Sequence, residues 1–181
     1  MLKKILIGIG VLLLAVVGFF VYGNLFPKSP HATASFNDQG LDISVSYSQP
    51  YKRGRVIFGE ASAGALQPYG QYWRLGANAA TEITFSKNVI FAGKPVNAGT
   101  YRMYAMPGAD SFQISLNTEV DKFFGVQEPD YSLDILKADI PVVAGATEME
   151  QFTISFASDA TGINMDMAWD KVLVRVPITV Q

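Results

Sequence analysis

The chain predicts an all-β domain, an antiparallel β-sandwich or flattened, jelly-roll-like barrel, preceded by one N-terminal transmembrane helix. Three observations carry that expectation. An uncharged apolar run opens the chain, later segments alternate apolar and polar residues with a period of two, and Gly and Pro punctuate the gaps between them.

The apolar run extends from Ile5 to Phe26, 22 residues without a charge. As a helix it is about 33 Å long, against a hydrocarbon core of about 30 Å. A helix satisfies its own backbone in lipid, so residues 5–26 are expected to contact the bilayer directly. Lys3 and Lys4 precede the run, which places the N-terminus inside and the remainder in the periplasm or outside, single-pass in the cytoplasmic membrane. Ala32-Thr33-Ala34 offers a small-x-small cleavage pattern, but the apolar run exceeds a signal peptide's usual core, so an uncleaved anchor is the favoured reading. Gly8, Ala15 and Gly18 lie near one face between Ile5 and Phe26, where small residues let a second helix approach. Other membrane-protein subunits are the partners this suggests.

Residues 1–26 are therefore read as anchor, 27–35 as an extended Pro-containing linker, and 36–181 as the exported domain. "LDISVSYS" sets Leu41, Ile43, Val45 and Tyr47 against Asp42 and three Ser. The same parity returns in "TEITFS", "TYRMYAM", "SFQISL", "EQFTISFA", "INMDMAW" and "VLVRVPITV", separated by turn residues such as Gly93-Lys94-Pro95 and Pro107-Gly108. The stretch "NTEVDKFFGVQEPDYSLD" has no period and reads as a long loop.

Composition excludes much chemistry. The chain has no Cys, which removes thiol catalysis, disulfides and thiolate metal sites. Its one histidine, His31, lies in the linker, so His-assisted nucleophiles and histidine metal sites are not expected in the domain. No metal site and no cofactor is expected. Setting aside Lys3, Lys4 and Lys28 leaves 11 basic against 16 acidic residues, a net charge of −5, which disfavours nucleic acid as a partner. The basic cluster Lys52-Arg53-Gly54-Arg55 reads as a solvated turn rather than an anion site.

Carboxylates remain. Glu82, Asp110, Asp166 and Asp170 are candidates for a paired-acid glycan hydrolase of the cell envelope. Glu128, Asp130 and Asp134 form a weak calcium pattern that an acidic surface loop explains as well. The competing and preferred reading is a binding or accessory module that takes a glycan or peptide ligand, with membership of a larger membrane complex as its extension. Tyr47, Arg55, Trp73, Arg74, Asn78 and Glu82 are its candidate ligand-binding residues, although aromatics on strands are more often core. Arg74 and Glu82 carry opposite charge across the Gly76-Ala77-Asn78 turn, so a structural ion pair there is the alternative to a shared site with Asn78.

The segments Tyr47-Ser48-Gln49-Pro50, Pro68-Tyr69-Gly70, Trp73-Arg74-Leu75-Gly76-Ala77-Asn78, Ala80-Thr81-Glu82-Ile83 and Phe152-Thr153-Ile154-Ser155-Phe156 also carry a resemblance. Over Phe36–Gln181 the chain resembles the exported bacterial family catalogued as domain of unknown function 2911, common in Bacteroidetes. The resemblance implies an exported single domain and no particular activity. Phe123-Phe124-Gly125 stands where such proteins commonly carry Trp-Gly, so the resemblance implies that a pocket formed with that loop differs in this chain.

Overall fold

A computed structural model describes residues 2–25, 28–38, 40–122 and 125–181. One α-helix, α1 (Leu2–Leu25, 24 residues), precedes thirteen strands in the order β1 (His31–Asp38), β2 (Leu41–Ser48), β3 (Phe58–Gly59), β4 (Gln67–Pro68), β5 (Thr81–Phe85), β6 (Val89–Phe91), β7 (Lys94–Val96), β8 (Gly99–Met106), β9 (Ser111–Asn117), β10 (Asp134–Pro141), β11 (Met149–Asp159), β12 (Gly162–Asp170) and β13 (Val172–Val180).

Among the described residues, no helix is long and apolar enough to cross a membrane. In α1 the side chains of residues 2–3, 5–7 and 20–25 lie outside that description, and so does the whole of Phe26. Gly8 and Gly18 are open, with nothing within 4 Å of the position a Cβ would take, and Ala15 is exposed.

The domain is all-β and its two large sheets are antiparallel. One has the order β1-β2-β5-β8-β9-β10 and the other β11-β12-β13-β6-β7; a short parallel pair, β3-β4, stands apart. Alternation decides which face is buried. Leu41, Ile43, Val45, Ile83, Phe85, Met103, Ile114 and Leu116 of the first sheet join Ile154, Met165, Met167, Trp169, Val174, Val176 and Ile178 of the second in one core.

The sheets are stitched at two corners. After β2 the chain runs beside β11, with Phe152 N–H donating to Pro50 O at 2.9 Å and Tyr51 bridging Gln151. After β10 it crosses to β13, where Val142 bridges Val174 and Val143 N–H donates to Leu173 O at 2.8 Å. Chains that switch sheets in this way make the corners of a sandwich.

Two stretches differ from the sequence reading. The segment 27–35 is not all linker, because β1 begins at His31 and pairs along its whole length with β2. Its Ala32, Ala34 and Phe36 pack on the core, but two alanines give too little apolar area to signal a strand. The long loop ends in a single 3₁₀ turn, Tyr131–Leu133, and β10 follows directly.

Candidate functional site

Three pieces of chain build the site. The first is the turn Lys52–Arg55, where Arg53 (φ 51) and Gly54 (φ 68) are left-handed. Arg55 closes it by donating from Nε to Lys52 O at 3.0 Å and from a terminal nitrogen to Tyr51 O. Lys52 turns the other way, onto Glu148 and Asp170 at 2.6 Å each. Those carboxylates hold its ammonium group on, with a pKa pushed up to about 12, Asp170 contributing most.

The second piece is Trp73–Asn78. Trp73 forms a bridge with Ala105, which carries the chain past the end of β5. Gly76 (φ 147) then passes so close to Ser48 that an added Cβ would lie 2.6 Å from its carbonyl oxygen. Only glycine fits that approach. Asn78 (φ 60) takes the left-handed position that asparagine tolerates. Its carbonyl accepts from Arg74 Nη1 at 3.1 Å.

The third piece is Lys28–Pro30. Asn78 Nδ2 donates to Ser29 O at 3.3 Å and Gln49 N–H donates to Pro30 O at 2.8 Å, so the end of the linker is tied to the domain.

Together these pieces enclose an open cleft of about 450 Å³, walled by Lys28, Arg53, Arg55 and Arg74, with Gly76 and Trp169 among the other lining residues. Among the described residues no Asp or Glu lines it, and none of the four cations has an ion pair. Glu150 accepts from the Arg53 backbone N–H at 2.8 Å rather than from its guanidinium. Burial, with Arg102 adding repulsion, pulls the Arg74 pKa down. Like charges gathered without counter-charge are electrostatically costly, and an anion relieves that cost.

Trp169 also lies in the aromatic cluster beneath the cleft, stacked on Trp73 at 5.9 Å. Its indole N–H is buried and has no hydrogen-bond partner among the described residues.

Of the residues singled out in the sequence, Arg55 and Arg74 share the cleft, and Asn78 supports it. Tyr47 and Trp73 are core residues, each 3% exposed. The Tyr47 hydroxyl accepts from Ile154 N–H at 2.9 Å and so ties β2 to β11. Arg74 and Glu82 do not pair: Arg74 goes to Asn78 O, whereas Glu82 accepts from Asp121 N–H at 2.6 Å. Parity explains the separation, since Glu82 sits on the outer face of its sheet opposite Arg102.

That outer face holds a second polar cluster under residues 118–133. Arg102, 1% exposed, reaches Glu119 at 3.1 Å, the Tyr72 hydroxyl at 2.6 Å and Gln127 O. Tyr104 donates to Asp134 at 2.6 Å, and Asn117 donates to the same carboxylate at 2.7 Å. Phe123 and Phe124, singled out in the sequence, lie outside the described residues.

The candidate acids are spread apart. Asp166 forms a two-pronged pair with Arg175, 2.7 Å on each prong, and Asp170 holds Lys52. Asp110 takes part through its backbone carbonyl, which accepts from Val142 N–H. Glu128 and Asp130 are engaged with Tyr131 and Ser132. Among the described residues, no group of three or more His, Cys, Asp or Glu could hold a metal ion.

Sequence reasoning missed Lys28, Arg53 and Trp169 as members of one site. Locally, Lys28 reads as linker and Arg53 as part of a solvated turn, and the parity of Met165, Met167 and Trp169 marks only burial.

No curated protein matches the chain, and no solved structure matches it. A family model matches residues 29–178, the β-domain together with the linker end that closes the cleft. The chain therefore belongs to the family described as protein of unknown function, DUF2911.

Proposed function

We propose that the chain is a tethered binding module whose ligand is anionic and enters the cleft of Lys28, Arg53, Arg55 and Arg74. The helix α1 would serve as the tether, with Lys3 and Lys4 on the cytoplasmic side and the sandwich outside. One observation carries the binding reading: four cations line one cleft that no described carboxylate enters. Guanidinium groups present paired donors to carboxylate or phosphate oxygens, and the ligand chemistry follows from that geometry. No observation favours the glycan-hydrolase alternative, because Glu82, Asp166 and Asp170 each face a different partner.

The test is titration of the full-length protein, in mild detergent at low salt, with inorganic pyrophosphate. The intrinsic tryptophan fluorescence, to which Trp169 in the cleft wall and Trp73 stacked on it contribute, reports binding. The wild type is expected to saturate and to weaken with added salt. Arg55→Gln with Arg74→Gln removes two charge-assisted contacts and should weaken binding at least about tenfold. A wild type with no saturable response, or a double variant that binds equally well, overturns the reading.

A further inference from the structure

We infer that the anion held by this cleft is the phosphate of an anionic phospholipid headgroup in the membrane that carries α1. The inference rests on the binding reading above and adds the source of the ligand.

The tether sets the position. Lys28 lines the cleft and lies three residues beyond Leu25, the last residue of α1. Three residues span at most about 10 Å even when fully extended. With α1 across a bilayer, its outer end meets the headgroup layer, about 5–8 Å thick on each side of the hydrocarbon. One wall of the cleft is then held at headgroup level by chain length alone.

The domain is also kept from swinging its cleft away through Ser29 and Pro30. Both carbonyls bond to the domain, to Asn78 Nδ2 and to Gln49 N–H, so Lys28 is pinned beside Arg53, Arg55 and Arg74. A headgroup phosphate in the same membrane needs no diffusion from bulk. It is present at high local concentration, which favours it over a dilute soluble anion. The overall acidity of the domain, −5 outside Lys3, Lys4 and Lys28, opposes capture of soluble anions from a distance but acts little at contact range.

Charge also selects among lipids. Each Lys or Arg near an anionic surface gains about fivefold in partition. Phosphatidylglycerol offers a net negative phosphate, whereas phosphatidylcholine cancels its phosphate with a choline cation. Trp169 lines the same cleft and gives the lipid an apolar ring surface beside the four cations.

Native mass spectrometry of the full-length protein tests the assignment. The detergent-solubilised protein is offered equal amounts of phosphatidylglycerol and phosphatidylcholine, with or without inorganic pyrophosphate. The expected result is preferential retention of phosphatidylglycerol by the wild type, saturating at one molecule and displaced by pyrophosphate. Arg55→Gln with Arg74→Gln should cut that preference at least about tenfold, two fivefold steps being available. If pyrophosphate binds but phosphatidylglycerol is held no better than phosphatidylcholine, the lipid assignment falls and the anion cleft stands. The lipid assignment falls in the same way if the double variant keeps the full lipid preference. If the wild type binds neither probe, both readings fall together.

Discussion

Replacing Tyr47 by Phe separates a structural hydroxyl from a ligand-binding one. The ring of Tyr47 packs edge-on against Phe152 at 5.6 Å, and Phe keeps that contact. What disappears is one oxygen, which accepts from Ile154 N–H at 2.9 Å and from Gln49 Nε2 at 3.0 Å. The Gln49 amide is half-buried and can turn to water. Ile154 is 3% exposed, and its N–H faces away from the β12 partner, so it is left without an acceptor. An orphaned buried donor costs about 1–3 kcal/mol. At about 3 °C per kcal/mol for a domain of this size, Tm falls by about 3–9 °C. Thermal unfolding of the full-length protein in detergent, followed by Trp fluorescence, measures the change. Tyr101→Phe is the control, because its hydroxyl only donates to the exposed carbonyl of Asn97. Affinity for pyrophosphate should stay at the wild-type value. A Tyr47→Phe protein as stable as the control refutes the accounting, as does one that loses anion affinity without losing stability.

Two further outcomes are expected. Arg102→Met removes the cation that gathers Glu119, Tyr72 and Gln127 beneath residues 118–133. Breaking a buried pair costs about 3–5 kcal/mol, and Glu119 is exposed enough to rehydrate, so the low end applies; limited proteolysis should then cut within 118–133, and a protein of wild-type stability and resistance would contradict the assignment. Stability should also fall as pH rises above about 10, where tyrosines titrate in the unfolded chain. Burial raises the pKa of Tyr72, Tyr104 and Tyr131 in the fold, with Asp134 and Glu128 reinforcing the last two, and Lys52 is raised by Asp170 and Glu148. The fold thus favours the protonated forms, and the stability they contribute is complete below the unfolded pKa values and lost as pH climbs through the folded ones. Urea unfolding at stepped alkaline pH checks the sign; a flat or rising profile would be inconsistent with it.

The strands that face water on one side were legible because burial alternates along them. β2 and β13 appear at the bounds their alternation set, and turns such as Gly93 and Pro107-Gly108 fall on Gly and Pro, although Asp170-Lys171 turns the chain into β13 without either. Short or small-residue strands escaped for the same reason in reverse. β1 offers Ala where a stronger strand offers Val or Ile, and β6 and β7 are three residues each, too short to display a period. β10 does alternate, with Leu136, Ala138 and Ile140 buried, but it follows directly on the aperiodic loop.

The candidate site divides along the same line. By itself the sequence determined that the chain has no thiol chemistry, that the strands of its domain bury one face, and that an apolar segment precedes that domain. Those properties depend on residue type and on neighbours two or four positions apart. The cleft depends on Lys28, Arg53, Arg55, Arg74 and Trp169, which lie up to 141 positions apart and meet only through sheet register and corner geometry. Lys52-Arg53-Gly54-Arg55 alone is a turn that water would solvate. It becomes half of a cationic wall because Gly76 can lie against Ser48 and because Asn78 holds the linker end in place, contacts that no local pattern encodes.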